Sequence, residues 1–221
     1  MRRRLWDNPG VNNQSRLILA GLCLLMAIVG FATARLWKQA HPPATPSLAT
    51  GTLLQPHRSL AEFSLLDHHG AAFTPRSLAG HWSMLFFGYT NCPDLCPITL
   101  TALAALQKKL LADHDNVRPA VIFVSVDARR DTPAVLARYV PYFNPDFVGV
   151  TAPTQSQIED FAKRLGVAVI IGPEHDGTYS VDHSGAIFVV APDGRLAAIL
   201  TGPHTSAGLA EDFHRIVAAQ T

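Results

Sequence analysis

Two cysteines four residues apart are the most reactive pair in this 221-residue chain. They lie in Tyr89-Thr90-Asn91-Cys92-Pro93-Asp94-Leu95-Cys96-Pro97. Such thiols can exchange with disulfides, or as thiolates bind a soft metal. A structural disulfide closing so short a loop gains little stability. A structural zinc site wants four protein ligands, and the only other cysteine, Cys23, sits in an apolar stretch near the N-terminus. Copper(I) accepts two thiolates and one imidazole, so the question becomes whether a histidine can join the pair.

The chain has 10 histidines. His68 and His69 read as solvated in a polar turn, and His204 as part of the Gly202-Pro203 turn. His183 follows Tyr179-Ser180-Val181-Asp182 and precedes Ser184-Gly185 and the apolar run 186–190. That places it at the mouth of a sheet, where the pattern alone suits either a metal ligand or a structural histidine.

The flanking segments supply the frame. Residues 83–89 (SMLFFGY) and 120–126 (AVIFVSV) are continuous apolar runs, as expected of strands buried on both faces. Residues 97–113 carry Ile98, Leu103, Leu106 and Leu110 at helical spacing. The cysteine segment therefore lies between a buried strand and a helix. If it turns helically, both sulfurs share one face, and a helix N-terminus favours thiolates. Pro97 suits the first helical turn. Further helices are predicted over 132–142, 155–165 and 206–219. Further strands are predicted over 62–67, 71–74, 167–171, 186–190 and 196–200, the last two joined by the Pro192-Asp193-Gly194 turn. This alternation defines an α/β sandwich around a mixed sheet. Asp127 and Asp131 flank Arg129-Arg130 after the second buried strand. Asp131 could cap the following helix, while Asp127 and Tyr89 are the candidates to support the cysteine site.

Three spaced stretches resemble the SCO/SenC family of copper-binding, thioredoxin-like assembly factors. They are Cys92–Pro97 after Phe87-Gly88-Tyr89-Thr90, Val124–Pro133, and Tyr179–Ser184. The resemblance covers about residues 60–217; Ala128 departs from it, where the family often has proline. It implies a thioredoxin-like fold, a metal site of Cys92, Cys96 and His183 holding one copper ion, as Cu(I), Cu(II) or both, and a role in maturing the copper A centre of cytochrome c oxidase. The partners implied are the oxidase's copper A subunit and another periplasmic copper chaperone. The alternatives are a thiol–disulfide reductase using Cys92 and Cys96 on the oxidase's copper-ligand cysteines, and a redox or copper sensor. Both the extra residue between the cysteines, relative to C-x-x-C, and the lack of proline near His183 suit metal binding better than general disulfide reduction.

Charge and hydropathy place the domain. Lys and Arg total 18 against 17 Asp and Glu, but residues 1–40 carry +5 and the remainder −4. A mildly acidic domain excludes a nucleic-acid footprint. Residues 17–34 are uncharged, and Arg2, Arg3, Arg4 and Arg16 precede them. As a helix these 18 residues span roughly 27 Å, close to the hydrocarbon thickness of a bilayer. Arginines ahead of the apolar run place the N-terminus inside and the domain outside. The expected organisation is a cytoplasmic basic segment (1–16), a single membrane anchor (17–36), a Pro- and Ala-rich linker (37–59) and a thioredoxin-like copper-binding domain (60–221), set in a bacterial inner membrane and facing the periplasm. Ala32-Thr33-Ala34 has the form of a cleavage site, but a retained anchor is the reading adopted.

Overall fold

The computed structural model describes residues 13–40, 47–176 and 178–220. The chain divides into two units, residues 1–44 and 45–221. Most of the expected basic segment (residues 1–12), and residues 41–46 of the expected linker, lie outside the described residues.

In the first unit, α1 (Asn13–Ala40) runs past both ends of the expected anchor. Its apolar part, Leu17–Trp37, has 21 residues and is long and apolar enough to cross a membrane, at about 32 Å for 1.5 Å per residue. The Thr33 hydroxyl donates to the carbonyls of Val29 and Gly30 at 2.9 and 3.0 Å, so this polar group is satisfied within the helix.

The second unit contains, in chain order, β1 (Gly51–Arg58), β2 (Leu65–Asp67), β3 (Ala72–Phe73), β4 (Ser83–Gly88), α2 (Leu95–Ala112), β5 (Ala120–Ser125), α3 (Pro133–Tyr139), β6 (Val148–Thr151), α4 (Gln155–Leu165), β7 (Val169–Ile171), β8 (Val181–His183), β9 (Ile187–Val190), β10 (Leu196–Leu200) and α5 (Ser206–Ala218). Eight strands form one sheet in the order β1-β10-β9-β4-β5-β6-β2-β3, and β7 pairs with β8 separately. β4, β5 and β6 run parallel, and β9 lies antiparallel beside β4.

The apolar runs explain the layering. In β4, Met84 and Phe86 face one layer with α2, α3 and α5, while Leu85 and Phe87 face the other with α4. In β5, Val121 and Phe123 divide from Ile122 and Val124 in the same way. Period-2 alternation thus feeds two cores, one on each face of a fully covered central sheet. α2 contributes Leu100, Leu103, Leu106 and Leu110, all buried. Ile98, expected on that face, is instead exposed. α4 starts on Thr154, whose side chain accepts from the Gln157 amide, and ends at Gly166 with φ of +81°. That left-handed position suits a residue without Cβ.

The expected linker over 37–59 needs correction. Residues 51–58 form β1, an edge strand paired with β10. The entry to the domain is tied down by Asp212 of α5, a fully buried carboxylate. It accepts from the amides of Ala49 and Thr50 at 2.6 and 3.0 Å and from the Thr50 hydroxyl at 2.8 Å.

Candidate metal centre

The site forms where the sheet's pairing brings distant segments together. Gly88 ends β4 and pairs with Ser125 at the end of β5. In the antiparallel neighbour, Ile187 of β9 sits opposite Phe86. Residues just before β9 therefore lie beside residues just after β4. This juxtaposition brings His183 to the cysteine segment across 87 positions of sequence.

The cysteine segment is a turn followed by a helix. The Cys92 amide donates to the Tyr89 carbonyl at 3.2 Å, and α2 begins at Leu95. Cys96 lies in the first turn with Pro97 after it, as expected, but Cys92 precedes the helix. The sulfurs therefore meet through the turn and not through a shared helix face. Cys96 is fully buried and Cys92 half-buried. Burial pushes the Cys96 thiol well above its ordinary pKa, against a hydrogen bond from the Tyr89 backbone. The expected pair of partly exposed, helix-activated thiolates is thus corrected for Cys96, because desolvation outweighs the helix end.

Cys92 Sγ, Cys96 Sγ and a His183 ring nitrogen all lie within 4.8 Å of one another. His183 Nδ1 donates to the Ser184 carbonyl at 3.1 Å, leaving Nε2 as the bare nitrogen, 3.6 Å from Cys96 Sγ. Burial lowers the His183 pKa, which favours the neutral imidazole that a metal requires. The ring is boxed by Tyr89 and Phe86, with centroids at 5.8 and 6.3 Å and edge-to-face geometry. Two sulfurs and one imidazole, partly shielded from water, make a donor set for a soft, low-coordinate cation such as copper(I).

The two aspartates divide the work of holding these parts. Asp131, expected as a helix cap, instead reaches the cysteine turn. Its carboxylate accepts from the Thr90 amide at 2.9 Å, from the Thr90 hydroxyl, and from the Ser125 hydroxyl at 2.6 Å. Burial pushes the Asp131 pKa up, while these donors pull it back. The cap of α3 is Thr132, whose side chain accepts from Val135. Asp127, expected to face the cysteine segment, turns to the histidine side. It accepts from the Tyr179 hydroxyl at 2.8 Å and is ion-paired with Arg130 Nε. The Arg130 guanidinium lies 3.6 Å from the centre of the Tyr179 ring and donates to the Tyr179 carbonyl. One aspartate steadies the cysteine turn and the other the strand that carries His183.

Four further residues escaped the sequence reading. His204 Nε2 donates to the Gly185 carbonyl at 2.8 Å, bracing the turn two residues beyond His183. His68 is likewise engaged rather than solvated, accepting from the Gly149 amide at 2.8 Å. Gly88 matters through what it lacks. A Cβ there would stand 2.6 Å from Cys96 Sγ and 2.7 Å from the Phe123 ring. A glycine closing a buried strand just before a cysteine motif is the signal that could have found it. Tyr139, at the end of α3, packs its ring on Phe123 at 5.5 Å. Its phenol pKa is raised, by burial first and then by negative charge on Cys96, Cys92 and Asp131. Gly88→Ala is expected to cost about 1–3 kcal/mol of stability through overpacking and to weaken metal binding by displacing Cys96. Denaturant unfolding and metal titration of the same variant check both effects.

A mixed sheet with a Cys-x-x-x-Cys turn at the end of a central strand, faced by a histidine from the neighbouring strand's approach, defines a thioredoxin-like protein with a candidate soft-metal centre. Comparison with known proteins agrees. The SCO1/SenC family model matches residues 52–218. A Stutzerimonas stutzeri protein, named as a candidate copper-binding protein, is 33% identical over 196 residues, covering 89% of this chain and 90% of that one. The crystal structure of Arabidopsis thaliana ScoI with copper bound aligns at a TM-score of 0.67 and 31% identity, over 72% of this chain and 97% of that one. BsSco, described with a disulfide switch and as a member of the Sco family of cytochrome c oxidase assembly proteins, aligns at 0.60 and 26% identity, over 77% of this chain and 98% of that one. The chain belongs to the SCO1/SenC family of copper-binding proteins.

Proposed function

We propose that this protein is a membrane-anchored copper-delivery factor for the binuclear copper A centre of cytochrome c oxidase. Cys92 and Cys96 supply thiolates and His183 an imidazole to one copper ion per domain. The observation that carries this reading is the convergence of two sulfurs and a ring nitrogen within 4.8 Å, with Nε2 left bare by the Nδ1–Ser184 bond. Copper is the cargo. A site of two thiolates and an imidazole, with Cys92 and His183 half-buried, holds the ion firmly yet leaves a side open for a partner's thiolates to take it. The arginines before α1 support a bacterial inner-membrane setting with the domain in the periplasm. The test is titration of the reduced full chain in detergent with copper(I), followed by mixing with an apo copper A domain. One ion should bind and then move to the acceptor. Copper retained by the chain against a competent acceptor would count against delivery.

One observation favours a second reading. Cys92 is half-buried and Cys96 fully buried, and both are free thiols. That asymmetry suits a dithiol in which an accessible sulfur attacks a partner disulfide and a buried one resolves the mixed disulfide. On this reading the domain reduces the oxidase's copper-ligand cysteines. Electrons pass from the Cys92–Cys96 dithiol to the partner disulfide, leaving a Cys92–Cys96 disulfide behind.

A further inference from the structure

Three segments meet at one end of the sheet. β10 lies antiparallel to β9 with Leu200 opposite Ile187, and β9 lies antiparallel to β4 with Ile187 opposite Phe86. The cysteine turn after β4, the His183 turn before β9 and the segment after β10 are therefore neighbours. The first two carry the metal donors, and the third carries His204. Its neighbour Thr205 caps α5, accepting from the Gly208 amide at 3.1 Å, so His204 is placed by the start of a helix. Among the described residues the His204 ring makes one hydrogen bond, from Nε2 to the Gly185 carbonyl at 2.8 Å, while Nδ1 is buried without a partner. A carbonyl only accepts, so the proton sits on Nε2. A bare buried Nδ1 is unfavourable, and leucine would avoid it. What the imidazole supplies here is the single donated bond.

That bond closes a chain of contacts ending at His183. The Gly185 carbonyl and the Ala186 amide belong to one planar peptide unit. Its amide donates to the Ser184 hydroxyl at 3.2 Å and its carbonyl receives His204, so the unit is gripped at both ends. The unit before it supplies the Ser184 carbonyl, which receives His183 Nδ1 at 3.1 Å. The two planes join at Gly185, where no Cβ limits their relative rotation. Leu95, the residue before Cys96, crowds that joint: a Cβ on Gly185 would stand 3.3 Å from its side chain. The turn is thus held between the cysteine helix on one side and His204 on the other.

We propose that His204 is a positioning residue of the metal centre: by holding the Gly185 carbonyl, it fixes the turn that aims His183 at the two sulfurs. This inference rests on the reading of Cys92, Cys96 and His183 as copper ligands. His204 stands outside that donor set, which gathers within 4.8 Å without it. No proton moves and no covalent bond changes. The grip exists before metal arrives, so the imidazole is aimed in advance, as supporting hydrogen bonds do at other metal sites.

The experiment compares His204→Leu, which has no donor, with His204→Gln, whose side-chain amide keeps an N–H at similar reach, both in the full chain in detergent. Three quantities are measured beside wild type: copper(I) affinity by competition with a chromophoric chelator, amide hydrogen exchange at Ala186 in the metal-free chain, and the nitrogen hyperfine coupling of the copper(II)-loaded protein. His204→Leu should lose about tenfold in affinity, the lower end of the ~10–100-fold seen when an outer partner is removed. It should also exchange faster at Ala186 and show an altered coupling. His204→Gln should return all three toward wild type. Thr205→Ala loosens the cap of α5 beside His204 without removing the donor. It should lower the thermal midpoint and leave affinity and coupling as in wild type. Wild-type affinity and coupling in a folded His204→Leu overturn the inference. So does a loss of affinity that His204→Gln fails to relieve or that Thr205→Ala reproduces, since either would make His204 a matter of packing. If wild type itself fails to bind copper in a manner lost on Cys92→Ser, the ligand reading falls and takes this inference with it, an outcome distinct from a histidine variant that binds as wild type does.

Discussion

Serine at position 96 should leave a folded chain that no longer holds copper. Cys96 is the most enclosed of the three donors, fully buried and 3.6 Å from His183 Nε2. A hydroxyl is a hard, weakly acidic group and does not replace a thiolate toward a soft cation. Affinity should therefore fall by more than the ~10–100-fold attached to loss of an outer partner, and copper should be lost on desalting. The fold should survive. Serine is close to cysteine in shape, and its hydroxyl can donate to the same ring nitrogen, so the cost in stability is expected at about 1–2 kcal/mol. Cys92→Ser should lose copper too, at smaller cost to the fold, because its side chain is only half-buried. Copper content after gel filtration, with circular dichroism to confirm folding, checks both variants. Stoichiometric copper in the double-serine protein would mean that the site lies elsewhere.

The sequence made the donors visible but not the way they are held. Two apolar runs were legible as β4 and β5 because strands covered on both faces leave no polar alternation. The cysteine segment between β4 and α2 followed directly. β1 was missed because Gly51–Arg58 is a half-exposed edge strand containing Pro56, and its composition matches a linker. β6 and β8 were missed because Gly149 interrupts the one and Asp182 and His183 make up most of the other, so neither reads as an apolar strand. The roles of Asp127 and Asp131 came out differently from expectation for another reason. The two lie in one tight loop, closed by the Asp131 amide donating to the Asp127 carbonyl at 2.9 Å. Spacing does not say which carboxylate turns toward which neighbour. That choice is made by Thr90 on one side and by Tyr179 on the other, both distant in sequence, with Arg130 of the same loop pairing Asp127. The same limit hid His204, whose acceptor at Gly185 is reached only through the pairing of β9 with β10. Likewise, a helix end was expected to activate both thiols, and burial, a tertiary quantity, decided the matter for Cys96.

Delivery and reduction part company at His183. Copper binding uses its imidazole, whereas disulfide exchange needs only the two sulfurs and access to a partner. His183→Ala should therefore abolish tight copper binding while leaving a dithiol that can still reduce a target disulfide. If delivery is the protein's task, cells carrying the variant should lose cytochrome c oxidase activity nearly as completely as cells carrying Cys96→Ser. If reduction alone is the task, oxidase assembly should persist near the wild-type level. Two structural consequences have to be measured alongside. His183 packs edge-on to Tyr89 and Phe86, so alanine opens a cavity and should cost about 2–3 kcal/mol. Unfolding curves will show whether enough folded protein remains, and His183→Gln, which keeps more of the volume, serves as the second variant. The ring nitrogen also faces Cys96 Sγ at 3.6 Å, so its removal alters the surroundings of the buried thiol. Alkylation rates of Cys92 and Cys96 in the variant report that change directly. Normal oxidase assembly in a folded variant with wild-type thiol reactivity and no copper would remove delivery as the function and leave the reductase. Loss of assembly with the dithiol still competent in exchange would establish that the imidazole, and hence the copper, is what the oxidase needs.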